Sequence, residues 1–383
     1  MNQNTLLSIY EKLESLIGKL PQPLRNAILN ELRPIKQIFL AQRLAKVVLL
    51  GQPSSDVSAL FSAPLRNKLQ MVNPTSSTGW VTYEQHGKGG FRILDKRRLN
   101  ESSLTWSALA EAVTEESPDL FLFVVDGSKP INLSLECEQT GWLLDLVETH
   151  HQSEAGVIGI IDFPVSTPVA QVETRRLELQ KWLTSHPRLS RHFVRSVAIC
   201  SFARFRVDGS LNPDRDAHQN MGILSEILVR ELPEESQVEL ARLFHVKELQ
   251  VEIAQRLTRS VTAICAIIGA QPMPLADFPV LAAPQFAMIS GIMHISGQEL
   301  GLKAAAEFFG TLGVNLGIGI ILRESARTVM KLLPGWGSAI SGGVAAAGTY
   351  AIGRVAIGYF IEGISLPKMR KLFRHKKLLP KAG

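Results

Sequence analysis

Cysteine is scarce in this chain of 383 residues: there are three, Cys137, Cys200 and Cys265. They lie far apart, with no metal-ligand spacing, which excludes a disulfide framework and points to a reducing compartment. The N-terminus lacks a basic stretch followed by an apolar core, so no secretory leader is expected. No Ser-His-Asp, Cys-His or paired-carboxylate arrangement stands out by spacing. Charge is missing from residues 278–298 and 332–353, which hold no Asp, Glu, Lys or Arg. At about 1.5 Å per residue, either run is about long enough to cross a bilayer core. Both are rich in Gly, Ala and Ser rather than Leu, and Gly313, Gly317, Ala347 and Ala351 recur at four-residue spacing. Two readings fit that pattern: helices packed closely in a membrane, or the small-residue core of a soluble helical domain. Pro272 and Pro274 break the chain ahead of the first run and favour a hairpin-like turn over a continuous span.

What is present describes a packed protein. Hydrophobic residues make up 45% and charged ones 20%, which excludes a disordered chain. The length suits two domains of roughly 100–200 residues each. A net charge of +6 raises the question of nucleic acid. The basic residues of the first two thirds, however, are mixed with acids as on solvated helices, and no nucleic-acid partner is expected. The dense basic run comes last, with Lys368, Arg370, Lys371, Arg374, Lys376, Lys377 and Lys381. Such a tail after an apolar segment suits anionic lipid at the cytoplasmic face of a membrane, and it equally suits a solvated tail.

Along the chain, Leu6, Leu7, Tyr10, Leu13, Leu16 and Ile17, then Leu24, Ile28, Leu32, Ile35 and Ile38, recur at helical spacing. Pro21 and Pro23 divide them into two amphipathic helices. Their apolar faces need a partner, and the domain that follows is the nearest candidate. The pattern then changes to short apolar runs at 45–51, 119–126, 155–162 and 193–201, with a shorter one at 90–95. Helical stretches lie between them, near 134–151 and 170–184. Strands alternating with helices predict an α/β domain with a mostly parallel sheet and helices on both faces. A helix near 222–232 closes it, and Pro233-Glu-Glu-Ser reads as a linker. The expected division is N-terminal helices at 1–44, an α/β domain at 45–235, an all-α apolar domain at 236–367 and a basic tail at 368–383.

A strand ending in glycine, followed by a loop and a helix, is where a phosphate-binding loop belongs. Aligned to G-x-x-x-x-G-K-[ST], Gly51 and Ser58 survive. Asp56 takes the place of the second glycine, Val57 that of the lysine, and Pro53 removes a backbone donor. Asp56 would repel phosphate, and Val57 brings no charge to neutralise it. In order, these parts resemble the Era and TrmE type of GTPases, in the subgroup with a YcjF-type C-terminal domain. The resemblance spans nearly the whole chain: Arg43 to Lys46 leading into the first strand, Pro74, Thr75 and Trp80 at the first switch, Ile93 to Asp95, and Val124 to Asp126. It continues through Gln271 to Asp277, Gln285, Met288, Ile289, Gly291, Ile292, Arg323, Glu324, Arg327, Pro334 and Gly337.

The resemblance implies a P-loop GTPase-like fold, with Gly51, Ser58, Thr75, Asp95 and Ser201 at the vestigial phosphate, magnesium and base positions. The departures fall on chemistry. D-x-x-G has become Asp95-Lys-Arg-Arg98, so Arg98 replaces the glycine at the γ-phosphate. N-K-x-D has become Asp162-Phe163-Pro164-Val165, without the carboxylate that accepts from guanine. Phe202 follows Ser201 in place of the usual alanine. Lost phosphate contacts remove several kcal/mol of transition-state stabilisation each, so no hydrolysis and no catalytic residue are expected. The expected protein is a membrane-associated pseudo-GTPase on the cytoplasmic face, a binding or scaffolding module without a cofactor. Its expected partners are membrane lipid and either a second copy or an intact GTPase relative. The alternative is an atypical switch that binds GTP and magnesium weakly or with a partner's help. His150 and His151, beside Glu148 and Asp145, point about 100° apart on a helix and suit a solvated helix end rather than one metal ion.

Overall fold

The computed structural model describes residues 3–18, 21–51, 60–62, 65, 69–72, 79–85, 89–98, 106–202, 212, 219–270, 278–298, 308, 337–365 and 367–369. Ser58 and Thr75 lie outside the described residues, as do Pro53, Asp56, Val57, Pro74, the segment 271–277, Gly313, Gly317, Arg323, Glu324, Arg327, Pro334 and the tail beyond 369. The chain divides into two compact units, Arg43–Val246 and the combination of Met1–Gln42 with Lys247–Gly383.

The first of these units is built on a seven-stranded sheet in the order β2-β3-β4-β1-β5-β6-β7. Its strands are β1 (Ala45–Gly51), β2 (Gln70–Val72), β3 (Val81–Gln85), β4 (Gly89–Asp95), β5 (Leu120–Asp126), β6 (Gly156–Asp162) and β7 (Phe193–Ile199). From β4 through β7 all neighbours run parallel, while β2, β3 and β4 form an antiparallel edge. Six consecutive residues of β5 are buried, as a strand covered on both faces requires. Phe121, Phe123 and Val125 pack with Leu109 and Val113 of α4 (Trp106–Glu115) and with Leu143, Leu144 and Val147 of α5 (Ser134–His151). The alternate residues Leu122 and Val124 point to the opposite face. Helices α6 (Val169–Ser185), α7 (Pro187–His192), α8 (Met221–Glu231) and α9 (Glu234–Leu243) complete the unit.

Pro233 is not in a linker. It stands at the N-cap of α9, where a proline costs no helical hydrogen bond, and α9 packs on β4 and β1. The Glu235 carbonyl accepts from the Arg43 backbone N–H at 3.1 Å, which holds the start of the unit to its last helix.

The amino edge of the sheet is fastened by ion pairs. Asp119 receives two bonds from the Arg43 guanidinium, at 2.8 and 2.6 Å, and one from the Lys46 backbone N–H at 2.9 Å. Glu116 is bridged by Arg92 and, at 2.8 Å, by the Lys46 ammonium. Burial alone would push the Glu116 carboxyl up, but the combined bonds and charges of Arg92 and Lys46 hold it below its ordinary value. The stabilisation it gives is therefore present above the unfolded carboxyl's pKa of about 4.3 and is lost as the pH falls through the lower folded value. The difference in melting temperature between wild type and Glu116→Gln is expected to shrink below about pH 4. A difference that stays constant under acid would contradict this.

The second unit is helical: α1 (Gln3–Gly18), α2 (Gln22–Glu31), α3 (Arg33–Phe39), α10 (Lys247–Gly269), α11 (Phe278–Ile295) and α12 (Gly337–Phe360). Among the described residues the N-terminal helices number three, because a further break falls at Leu32, just ahead of Pro34. Their partner differs from the expected one: α1 packs on α11, α2 on α10, and α3 on both. The Ser260 hydroxyl of α10 donates to the Glu31 carbonyl. Small residues let these helices approach closely. A Cβ on Gly353 would lie 2.4 Å from Thr258 Cγ2, and one on Gly291 would lie 2.6 Å from Leu257 Cδ2. Gln285 donates to the Thr349 hydroxyl at 2.9 Å, a polar contact inside the bundle. Among the described residues, no helix is long and apolar enough to cross a membrane.

Candidate nucleotide edge

Parallel α/β sheets bind ligands outside the carboxyl ends of their strands, at the point where the strand order reverses. Here that point is β1, flanked by β4 on one side and β5 on the other. Gly51 ends β1 with φ at +97°, and a Cβ there would lie 2.2 Å from the Val124 carbonyl oxygen of β5. Only glycine fits that close approach. Asp95 ends β4, Asp126 ends β5, Asp162 ends β6, and Ser201 follows β7. The sheet thus brings Gly51, Asp95 and Ser201 to one edge.

At each strand end, the polar group is engaged by its own chain. Asp95 accepts from the Arg97 backbone N–H at 3.0 Å and from its guanidinium Nε and Nη2 at 3.0 and 3.1 Å. The Arg97 side chain is only 1% exposed, and among the described residues its buried Nη1 has no hydrogen-bond partner. Beside it, the Lys96 ammonium lies 4.0 Å above the Trp106 ring, and burial lowers its pKa. Asp126 accepts from the Ser128 N–H and hydroxyl at 2.9 and 2.6 Å and pairs with Lys129 at 3.0 Å. Burial raises its pKa, but those bonds and the lysine charge together outweigh this and hold it below its usual value.

Asp162 accepts from the Ser201 backbone N–H at 2.9 Å and from its hydroxyl at 2.6 Å. Ser201 is thereby directed at the end of the neighbouring strand. Phe163, in the lysine position of the base-reading motif, is buried with its ring against Gly127, where a Cβ would lie 2.4 Å away. Val165, in the aspartate position, is 50% exposed and offers no acceptor. Phe202 is half exposed nearby in sequence.

P-loop GTPases hold magnesium through the loop Ser or Thr and an Asp at a strand end. Of that pair, Ser58 lies outside the described residues, and Asp95 already has a cation in bidentate contact. The donor set does not fit the ion. Among the described residues, no group of His, Cys, Asp and Glu is placed to hold a metal. His151 is turned away from such use, its Nε2 donating to the Val113 carbonyl at 2.8 Å.

Two interactions escaped the sequence reading. The Asp95–Arg97 pair was signalled by three consecutive basic residues after the aspartate. The Asp162–Ser201 pair joins residues 39 positions apart, and nothing local announces it.

The chain matches no protein-family model and no curated protein. Among solved structures it is similar to LeoA, a bacterial dynamin GTPase from ETEC, at 13% identity and a TM-score of 0.35. The match takes in 86% of this chain and 58% of LeoA, so the chain spans less than two thirds of that protein's length. By its own strand order and by the glycine at the end of β1, the α/β unit is GTPase-like in fold.

Proposed function

We propose that this chain is a non-hydrolysing relative of the Era and TrmE type of GTPases, acting as a membrane-associated binding or scaffolding module. The observation that carries the reading is the Asp95–Arg97 pair: the carboxylate that would serve magnesium is closed on a buried arginine of the same turn. Val165 adds to it, exposing an apolar side chain where guanine needs an acceptor. The sequence supports the same conclusion at Asp56 and Val57, which bring negative charge and no positive charge to the phosphate loop. The helical unit, which resembles the YcjF-type domain, would be the anchor, with the basic residues beyond Lys368 facing anionic headgroups at the cytoplasmic surface. A second copy or an intact GTPase relative is the protein partner this reading calls for.

Equilibrium binding of fluorescent GTP, GDP and ATP to the full chain, with and without magnesium, tests the proposal. No saturable binding at high micromolar nucleotide is expected, and guanine-selective, magnesium-dependent binding would refute it. Co-sedimentation with phosphatidylserine vesicles that weakens as salt is raised is the expected membrane result. Absence from both anionic and neutral vesicles would remove that half of the reading.

A further inference from the structure

We infer that the Arg97 guanidinium is the resident cation of this edge, standing in for a divalent ion and keeping one from Asp95. The inference deepens the non-hydrolysing reading and rests on it. Four features of the pair carry it. First, Asp95 sits at the end of β4 beside β1, with Leu49 its register partner, at the strand reversal where an α/β sheet places its ligand. Second, both oxygens of Asp95 are taken by Arg97, Oδ1 at 3.0 Å from Nε and Oδ2 at 3.1 Å from Nη2, in the planar fork that suits a carboxylate. The Arg97 backbone N–H adds a third bond. Third, the arginine is buried more deeply than its partner, its side chain 1% exposed against 14%. A guanidinium there cannot simply swing into water when an ion arrives. Fourth, Nη1 is buried without a hydrogen-bond partner among the described residues, so the geometry has satisfied Asp95 at the expense of one arginine donor.

A divalent ion at Asp95 would have to displace this arginine or sit against it. Against it, the repulsion is poorly screened, because the arginine is out of water. Displacement would bury a guanidinium with no counter-ion. Lys96, with its ammonium on the Trp106 ring, adds a second positive charge from the same turn. Removing the charge at position 97 while keeping a polar side chain should therefore open Asp95 to a metal ion.

The test is titration of the full chain with Mn2+ as the probe, read by electron paramagnetic resonance. The variants are Arg97→Gln, Arg97→Lys, Asp95→Asn and the double variant Arg97→Gln with Asp95→Asn. Wild type should bind no stoichiometric Mn2+. Arg97→Gln should bind one ion on the order of 10-fold or more tightly than wild type, as expected for freeing a carboxylate from an adjacent cation. Arg97→Lys, which keeps the charge, should stay silent, and Asp95→Asn should abolish the gain. Stoichiometric Mn2+ on wild type that is lost in Asp95→Asn would overturn the inference. A folded Arg97→Gln that gains no Mn2+ would do the same. If Arg97→Gln fails to fold while Arg97→Lys folds and stays silent, a cation is obligatory at that place, which supports the inference. Adding GTP separates the two proposals. Nucleotide bound by wild type without any divalent ion would sink the non-binding reading and leave Arg97 as the resident cation, whereas Mn2+-dependent binding lost in Asp95→Asn would sink both.

Discussion

Gly353→Leu is expected to destabilise the helical unit by about 3 kcal/mol or more, at the upper end of what overpacking costs. The position lies in α12, where its Cβ would meet Thr258 Cγ2 at 2.4 Å, Thr258 Oγ1 at 2.7 Å and Met288 Sδ at 3.1 Å. Those atoms belong to α10 and α11, so one side chain would push against two helices at once. Thr258 has no room to yield: it is buried, and its hydroxyl donates to the Ala254 carbonyl at 2.8 Å. Gly343, in the same helix, has nothing within 4 Å of its Cβ position. There, alanine should stabilise by about 0.5–1 kcal/mol, because glycine is a poor helix former. Urea denaturation followed through the helical signal compares the two. If Gly353→Leu melts like wild type, or if alanine at 353 stabilises as much as at 343, the close crossing of these helices is wrong.

Asp119→Ala should cost the α/β unit about 2–4 kcal/mol, a sizeable part of the roughly 5–15 kcal/mol that holds a domain folded. Asp119 is buried at the amino edge and accepts from Arg43 twice and from the Lys46 N–H once, tying the start of β1 to the residue before β5. Fully buried ion pairs cost more than this to break. The estimate is lower because the Arg43 side chain is 41% exposed and can be hydrated once its partner is gone. The half-buried Lys46 N–H loses its acceptor as well, and it accounts for part of the loss. Asp119→Asn keeps an acceptor for that N–H and should lose less. Thermal unfolding of both variants, followed by tryptophan fluorescence, is the measurement. A loss under about 1 kcal/mol for alanine would mean the clamp is a solvated surface pair.

Most of the sheet could be read from the chain, because buried parallel strands are continuous apolar runs. The runs at β1, β4, β5, β6 and β7 announced themselves in this way. β2 and β3 did not: β2 is three residues long and largely exposed, and β3 buries only its central Tyr83. Edge strands of that kind leave no long apolar signature. The N-terminal helices were legible as helices, but their partner was not. An amphipathic period fixes which face must be covered and leaves open what covers it. Tyr10, Leu13, Ile28 and Ile35 found their cover in residues more than two hundred positions later, on α10 and α11.

The nucleotide edge divides along the same line. Local chemistry told which residue types stood at each position: Gly51 at the end of β1, Val57 without a charge, Arg98 and Val165 in place of the expected glycine and aspartate. Those facts needed no coordinates, since charge and hydrogen-bonding capacity belong to the side chain itself. What the polar groups do with that capacity required the fold. Asp162 reaches Ser201 because the pairing of β6 with β7 sets Asp162 beside Ile199. Asp95 closes on Arg97 because a tight turn after β4 folds the arginine back under cover. Composition decides which interactions are available; burial and strand register decide which partner each group meets, because only they bring distant atoms within bonding distance and take water away.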